Sequence, residues 1–283
     1  MPGRLDIDVK GFHLLLSDRT YIMGILNVTP DSFSDGGKFF DKATAIEQGL
    51  RMARDGADII DVGGESTRPG AKETSAHEEL GRIIPVIEGL REKVSIPISV
   101  DTRKARVAEE SIKAGASIVN DVSALRHDPD MADIVSKHDA AVILMHMRGR
   151  PQDMQLNPIY GNLILDITNY LRESIDLALK HGIPRERIVI DPGIGFGKTV
   201  EHNLEILKRL DAFGVLGCPI CIGTSRKSFI SKVLNLPQTD TRLFGTLATL
   251  VIGILKGANI LRVHDVKEAV QAARMTDSVL KQT

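Results

Sequence analysis

The chain has 283 residues, 42% of them hydrophobic and 26% charged, with a formal net charge of −1. Such values are ordinary for a soluble globular protein, and the near-zero charge argues against a nucleic-acid or polyanion partner. No apolar run reaches the ~18 residues that a membrane span needs, and the opening MPGRLDIDVK lacks the apolar core of a signal peptide; a cytoplasmic protein with no membrane partner is expected.

The length suits one large α/β barrel or two modest domains. Residues 5–16 (LDIDVKGFHLLL) read as two short strands around Lys10-Gly11, a hairpin within an N-terminal extension of residues 1–20. Residues 21–283 then read as one barrel domain, with no linker to divide them. That domain opens on Ile22 to Leu26, an apolar run long enough for a buried strand and too short for a helix. The run ends at Asn27 and breaks into a polar, glycine-rich stretch, as expected where ligands sit beyond the carboxyl ends of parallel strands.

Further candidate strands lie near 58–62, 96–101, 117–121, 140–145, 187–191, 219–223 and 259–263, and helical patterns fill the gaps. Ile46, Leu50, Ala53 and Ala57 keep one face, with Gly56 as a stop. Val107, Ala108 and Ile112 do so before Gly115. Leu163, Ile167, Leu171, Ile175 and Leu179 do so before Gly182, and Leu204, Leu207 and Leu210 follow Thr199. Pro85 interrupts Leu80, Ile84 and Ile87, so that helix is expected to kink or restart.

Strands and helices alternating in this number imply an eight-fold β/α (TIM) barrel. An internal echo supports it: GADIID (56–61), GASIVN (115–120) and GANILR (257–262) are one phrase, and IVID (188–191) repeats its second half. Aligned, these place Asp61, Asn120, Asp191 and Arg262 at one level of the second, fourth, sixth and eighth barrel strands. Alternate strands fill one layer in this fold, so polar groups converge near the barrel mouth. Asn27 ends the first strand, Asp101 the third, and Thr224-Ser225 follow the seventh. Any one of these carboxylates also reads as a salt bridge or a cap. A whole polar layer is costly to bury without a ligand, and that favours a site.

The groups sort into two sets. Asp101, Asn120 and Asp191 suit the donor–acceptor edge of a nitrogen heterocycle, because a carboxylate accepting two N–H bonds is a strong, oriented contact. Arg262, His264, Asn27 and the Ser/Thr/Gly-rich loops suit an anion such as a phosphate, and Lys227 could bridge the sets. Other motifs fall away. Gly193 to Thr199 (GIGFGKT) lacks the four residues between P-loop glycines, and its glycine spacing also misses the dinucleotide fingerprint. His13, His138 and His181 are isolated, and no paired-histidine spacing argues for zinc. Cys218 and Cys221 lie three apart in a strand-like run and so face opposite ways, which fits packing rather than redox chemistry.

Seven segments carry a resemblance: MGILNVTPDSFSDGG (23–37), DVGGESTRPG (61–70), SVDT (99–102), IVNDV (118–122), DPGIGFGKT (191–199), GTSRKSF (223–229) and RVHD (262–265). Together they resemble the dihydropteroate synthase family. The resemblance implies a usually dimeric barrel enzyme, a sulfonamide target. It joins para-aminobenzoate to hydroxymethyl-dihydropterin diphosphate and releases pyrophosphate in the presence of Mg²⁺. It gives Asp101, Asn120, Asp191 and Lys227 to the pterin, with Asp61 in the same layer and Arg262 stacking on its face. Asn27, Arg262 and His264 would hold the diphosphate, with Asn27 also touching the metal. Phe33, Thr67, Arg68, Pro69, Phe196 and Ser228 would border the aminobenzoate. Residues 147–162 match none of these motifs.

The expected chemistry is dissociative. The pterin shares positive charge as its C–O bond breaks, Asp101 and Asp191 stabilise the cation, and the aromatic amine attacks. Two other readings compete. A methyltetrahydrofolate–corrinoid methyltransferase would share the pterin layer but has no use for the anion set. A non-catalytic pterin-binding barrel would not turn over.

Overall fold

The structure is a computed structural model that describes residues 5–29, 42–66, 73–149, 154, 158–236 and 242–282. The expected hairpin forms from β1 (Ile7–Val9) and β2 (Phe12–Leu14), antiparallel with Ile7 opposite Leu14. Lys10 and Gly11 at its tip have φ of 46° and 84°, the pair of positive values that a two-residue hairpin turn of the primed type requires.

Eight parallel strands follow: β3 (Tyr21–Asn27), β4 (Ile59–Gly63), β5 (Ile98–Asp101), β6 (Ile118–Asp121), β7 (Ala141–Met145), β8 (Ile188–Asp191), β9 (Cys221–Ile222) and β10 (Ile260–Val263). Their order is β8-β7-β6-β5-β4-β3-β10-β9, and a parallel bridge from Ile190 to Ile220 closes the ring. The strands expected from the echo are all present. The helices that cover them are α1 (Lys42–Arg54), α2 (Ala76–Arg91), α3 (Ala105–Ala114), α4 (Met131–Lys137), α5 (Leu163–Lys180), α6 (Val200–Lys208), α7 (Ser228–Leu234), α8 (Leu243–Leu255) and α9 (Val266–Leu280).

Two expectations need trimming. Pro85 does not restart α2, which runs unbroken from a Ser75–Glu78 capping box to Arg91. Buried Ile83, Val86, Ile87 and Leu90 hold it on both sides of the proline, and Gly81, whose carbonyl loses its partner, is exposed. In α5 the spacing of four drifts about 40° per step against a 3.6-residue turn. Leu163, Ile167, Leu171 and Ile175 are buried, but Leu179 has rotated out to 37% exposure.

The core has two parts. The larger lies between the outside of the strands and the helices. The smaller fills the barrel itself: Ile59, Ile118, Val189 and Ile260 project inward from alternate strands, with Met23, Ile143 and Cys221 between them. Ile7, Val9, Leu14 and Leu16 of the hairpin join this cluster and seal the barrel floor. Cys221 belongs to the inner part and Cys218 to the outer, so the cysteines do face opposite ways, both buried and unbridged.

Candidate active site

Two residues further along each even barrel strand, the layer turns polar. Above Ile59, Ile118, Val189 and Ile260 stand Asp61, Asn120, Asp191 and Arg262, all but Arg262 buried. The guanidinium of Arg262 spans two carboxylates, with Nε donating to Asp61 Oδ2 at 2.6 Å and Nη2 donating to Asp101 Oδ2 at 2.6 Å. Asn120 Nδ2 donates to the same Asp61 oxygen at 3.1 Å. One network thus ties β4, β5, β6 and β10 together across the barrel mouth.

That network leaves acceptors over. Asp61 Oδ1, Asp101 Oδ1 and Ser99 Oγ are buried with no hydrogen-bond partner among the described residues. Ser99 shares a face of β5 with Asp101 and pairs in register with Asp61, so the three belong to one patch. An unpaired buried polar atom costs on the order of 1–3 kcal/mol. Their clustering is what a donor-rich ligand edge would satisfy.

Burial sets the electrostatics of the site. Burial pushes the Asp101 carboxyl up to about 7, with Arg262 pulling it back and Asp61 adding to the rise. Burial also raises Asp191, against the pull of Lys227. Lys227 is brought down to about 8 by the same burial, opposed by Asp191. Burial disfavours a charged Arg262 too, but Asp61 and Asp101 outweigh it and keep the guanidinium charged. Asp61, Asp101 and Asp191 thus stand beside Arg262 and Lys227 over an apolar floor, with burial favouring the protonated form of Asp101 and Asp191. These carboxyls can accept from a donor edge and, where ionised, can stabilise positive charge.

Asp191 does not bond to the network directly. Its Oδ1 accepts from the backbone of Gly193 at 2.7 Å, which fixes the start of the loop after β8. Gly193 has φ of 70°, and a Cβ there would lie 1.8 Å from the carbonyl of His146, so only glycine allows this approach. Phe196 sits on the same loop. The ammonium of Lys227 lies 4.6 Å from the Phe196 ring centroid and donates to the carbonyl of Ile194. Lys227 therefore grips the loop instead of bonding to a carboxylate, and it reaches the pterin set through electrostatic attraction to Asp191.

Lys198 and His146 escaped the sequence reading. Lys198 is almost wholly buried, and its Nζ donates to His146 Nδ1 at 2.9 Å and to the carbonyl of Phe196 at 2.9 Å. Burial first, then the neighbouring Lys198 cation, drives the His146 imidazolium down to about 2, so its ring is a neutral acceptor. The pair pins the Phe196 loop from behind while Lys227 holds it from the front. Lys198 lies in the segment set aside as a failed P-loop, and an isolated histidine at a strand end carries no signal of its own.

Asn27 is the last residue of β3, in register with Gly63. His264 lies one residue past β10, where its Nδ1 is 3.0 Å from Ser225 Oγ. Ser228 opens α7 and, with Gly195, Lys198 and Thr199, lines a cavity of about 280 Å³. Phe33, Thr67, Arg68 and Pro69 lie outside the described residues. The flanks of 67–72 are tied together: Glu65 accepts from Thr74 N at 2.8 Å and from Lys104 Nζ at 2.9 Å. Of residues 147–162, Tyr160 donates to the carbonyl of Gly197 at 2.8 Å and so braces the Phe196 loop as well.

A barrel with this polar layer at its mouth fits the pterin-binding enzymes, and the family described as "Pterin binding enzyme" matches residues 23–264. The dihydropteroate synthase of Clostridium beijerinckii is 50% identical over 98% of this chain and 100% of its own length. A crystal structure of the Yersinia pestis dihydropteroate synthase in complex with a sulfonamide drug superposes with a TM-score of 0.93 at 42% identity, covering 98% of this chain and 100% of that one. The Xanthomonas albilineans dihydropteroate synthase in complex with 7,8-dihydropteroate superposes with a TM-score of 0.89 at 38% identity, again covering 98% and 100%. The chain belongs to the dihydropteroate synthase family.

Proposed function

We infer that this chain condenses para-aminobenzoate with hydroxymethyl-dihydropterin diphosphate, giving dihydropteroate and pyrophosphate. The observation that carries this is the Asn120–Asp61–Arg262–Asp101 network with its left-over buried acceptors. Asp101, Asn120 and Asp191 take the donor edge of the pterin. Arg262, whose Nη1 has no protein partner among the described residues, lies between that ring and the diphosphate. As the C–O bond breaks, Asp101 and Asp191 in their ionised forms stabilise the pterin cation, and the electron pair leaves with pyrophosphate. The amine of aminobenzoate attacks the exposed carbon and then loses its proton to solvent. No side-chain nucleophile is needed, because the leaving group is already good. A corrinoid methyltransferase would leave the anion set without a purpose.

Among the described residues, magnesium fits at Asn27. Among the described residues no three acidic, histidine or cysteine side chains cluster to cage a metal. Asn27, a single neutral oxygen at a strand end, suits a hydrated Mg²⁺ that leans on substrate phosphate. Bound there, the ion would offset charge on the diphosphate. Incubating the protein with both substrates should release pyrophosphate and dihydropteroate with Mg²⁺, and excess chelator should abolish this without changing the melting temperature. Full turnover in chelator would remove Asn27 from the metal role, and no product under any condition would remove the function.

No helix among the described residues is long and apolar enough to cross a membrane, and we place the enzyme in the cytoplasm. A homodimer is the assembly we propose. Helix α8 (LFGTLATLVIGIL) carries no charged side chain, yet Phe244 is 83% exposed, with Ile252 and Leu255 also exposed along it. A second copy of this face would cover them. Phe244→Glu should convert a dimer to a monomer in analytical ultracentrifugation, and an unchanged sedimentation coefficient would put the interface elsewhere.

A further inference from the structure

We propose that Ser225 sets the tautomer of His264, holding the imidazole proton on Nε2 so that the ring presents an N–H to the diphosphate. The use of that N–H rests on the anion-binding role given to His264 above. The tautomer itself rests on hydrogen-bond geometry.

Ser225 lies on the loop between β9 and α7 and is 5% exposed. Its Oγ accepts from the backbone N–H of His264 at 3.2 Å and lies 3.0 Å from Nδ1 of the same residue. A serine hydroxyl has a single proton and two acceptor lone pairs. Among the described residues, His264 supplies both contacts of this oxygen. Were Nδ1 protonated, Oγ would accept twice, and its own proton would have no acceptor among the described residues. With Nδ1 bare, the hydroxyl donates to it while accepting from the backbone N–H, and both contacts of Oγ are satisfied. Neutral imidazole must then carry its proton on Nε2.

The neighbours hold this arrangement rigid. Arg226, next to Ser225, makes a two-pronged contact with Asp265, next to His264, with Nε to Oδ2 at 3.1 Å and Nη2 to Oδ1 at 2.5 Å. The backbone N–H of Arg226 donates to Thr246 Oγ1 at 3.2 Å, and Thr249 Oγ1 donates to Thr224 Oγ1 at 2.9 Å. The two loops are clamped in parallel, one tie through charge and the other through the Ser225 hydroxyl. An imidazole with the opposite tautomer would turn a lone pair toward the anion. Ser225 is thus a positioning residue that acts through His264.

Side-chain ¹⁵N spectra of the full-length protein, with His264 assigned by comparison with His264→Gln, should show a bare Nδ1 and a protonated Nε2. Ser225→Ala should mix the tautomers and weaken binding of inorganic pyrophosphate by roughly tenfold, the scale of one lost oriented hydrogen bond. Ser225→Thr, which keeps the hydroxyl, should retain both properties. A proton found on Nδ1 of the unmodified protein would overturn the proposal, as would an unchanged tautomer in Ser225→Ala. Should that variant not fold, the spectrum of the unmodified protein decides alone. Because the tautomer is read without substrate, a failed condensation assay would count against the proposed function and not against this.

Discussion

Arg262→Lys is expected to lower kcat/KM by roughly two orders of magnitude although it keeps the charge. In the structure the guanidinium reaches Asp61 with one nitrogen and Asp101 with another, from two sides of a rigid plane. A lysine ammonium is a point charge that can satisfy one carboxylate or the other. It would also offer no flat face to a pterin and no second donor to a diphosphate. Arg262→Ala should be worse and should also destabilise the fold, since breaking a buried ion pair costs about 3–5 kcal/mol. The sign of its pH dependence follows. With the cation gone, Asp101 loses the group that pulls its raised carboxyl back, and folding favours its protonated form still more. Stability is then lost as pH rises, so the gap in melting temperature to the parent should be wider at pH 8 than at pH 6. A lysine variant with near-normal turnover would mean that Arg262 only closes the barrel.

Much of this site was legible because barrel geometry repeats. The phrase GADIID, GASIVN, GANILR marks the same strand position three times, and that register alone put Asp61, Asn120 and Arg262 in one layer. The same register two residues earlier gives the apolar floor of Ile59, Ile118 and Ile260. Alternation along β5 would also have found Ser99, two residues before Asp101. Pairing was harder to read. Asp265 lies three residues after Arg262 but pairs with Arg226 on the neighbouring loop, and Arg262 turns inward to Asp61 and Asp101. The Lys198–His146 pair joins residues on two different loops, and neither position has a periodic pattern to betray it. Contacts between loops depend on where glycines let the backbones meet, as at Gly193, and no local rule predicts that meeting.

That pairing also changes what Asp101→Asn should do. If the pterin and anion sets were independent, the substitution would weaken pterin binding alone. Asp101 is bonded to Arg262, however, and Arg262 serves both sets. The amide can still accept from Arg262, but it cannot accept two N–H bonds from the ligand and carries no charge. Losing two charge-assisted contacts at ~1.5 kcal/mol each should weaken binding of a simple pterin by about a hundredfold. Pyrophosphate affinity should hold or rise a few-fold, because Arg262 is then drawn less strongly to the layer. The pH profile separates this from a packing defect. Asp101 titrates at about 7 in the folded protein against 3.8 for an unperturbed aspartate, so folding favours its protonated form. Its contribution to stability is fully present below pH 3.8 and is lost as pH rises through 7. Pterin binding needs the ionised form and should strengthen as pH rises toward 7, then level off. Asp101→Asn should abolish that slope and should gain stability relative to the parent between pH 5 and pH 8. Calorimetry with a simple pterin across this range tests both statements. A slope that survives in the variant would assign the titration to Asp191, the other carboxyl of the layer that burial raises.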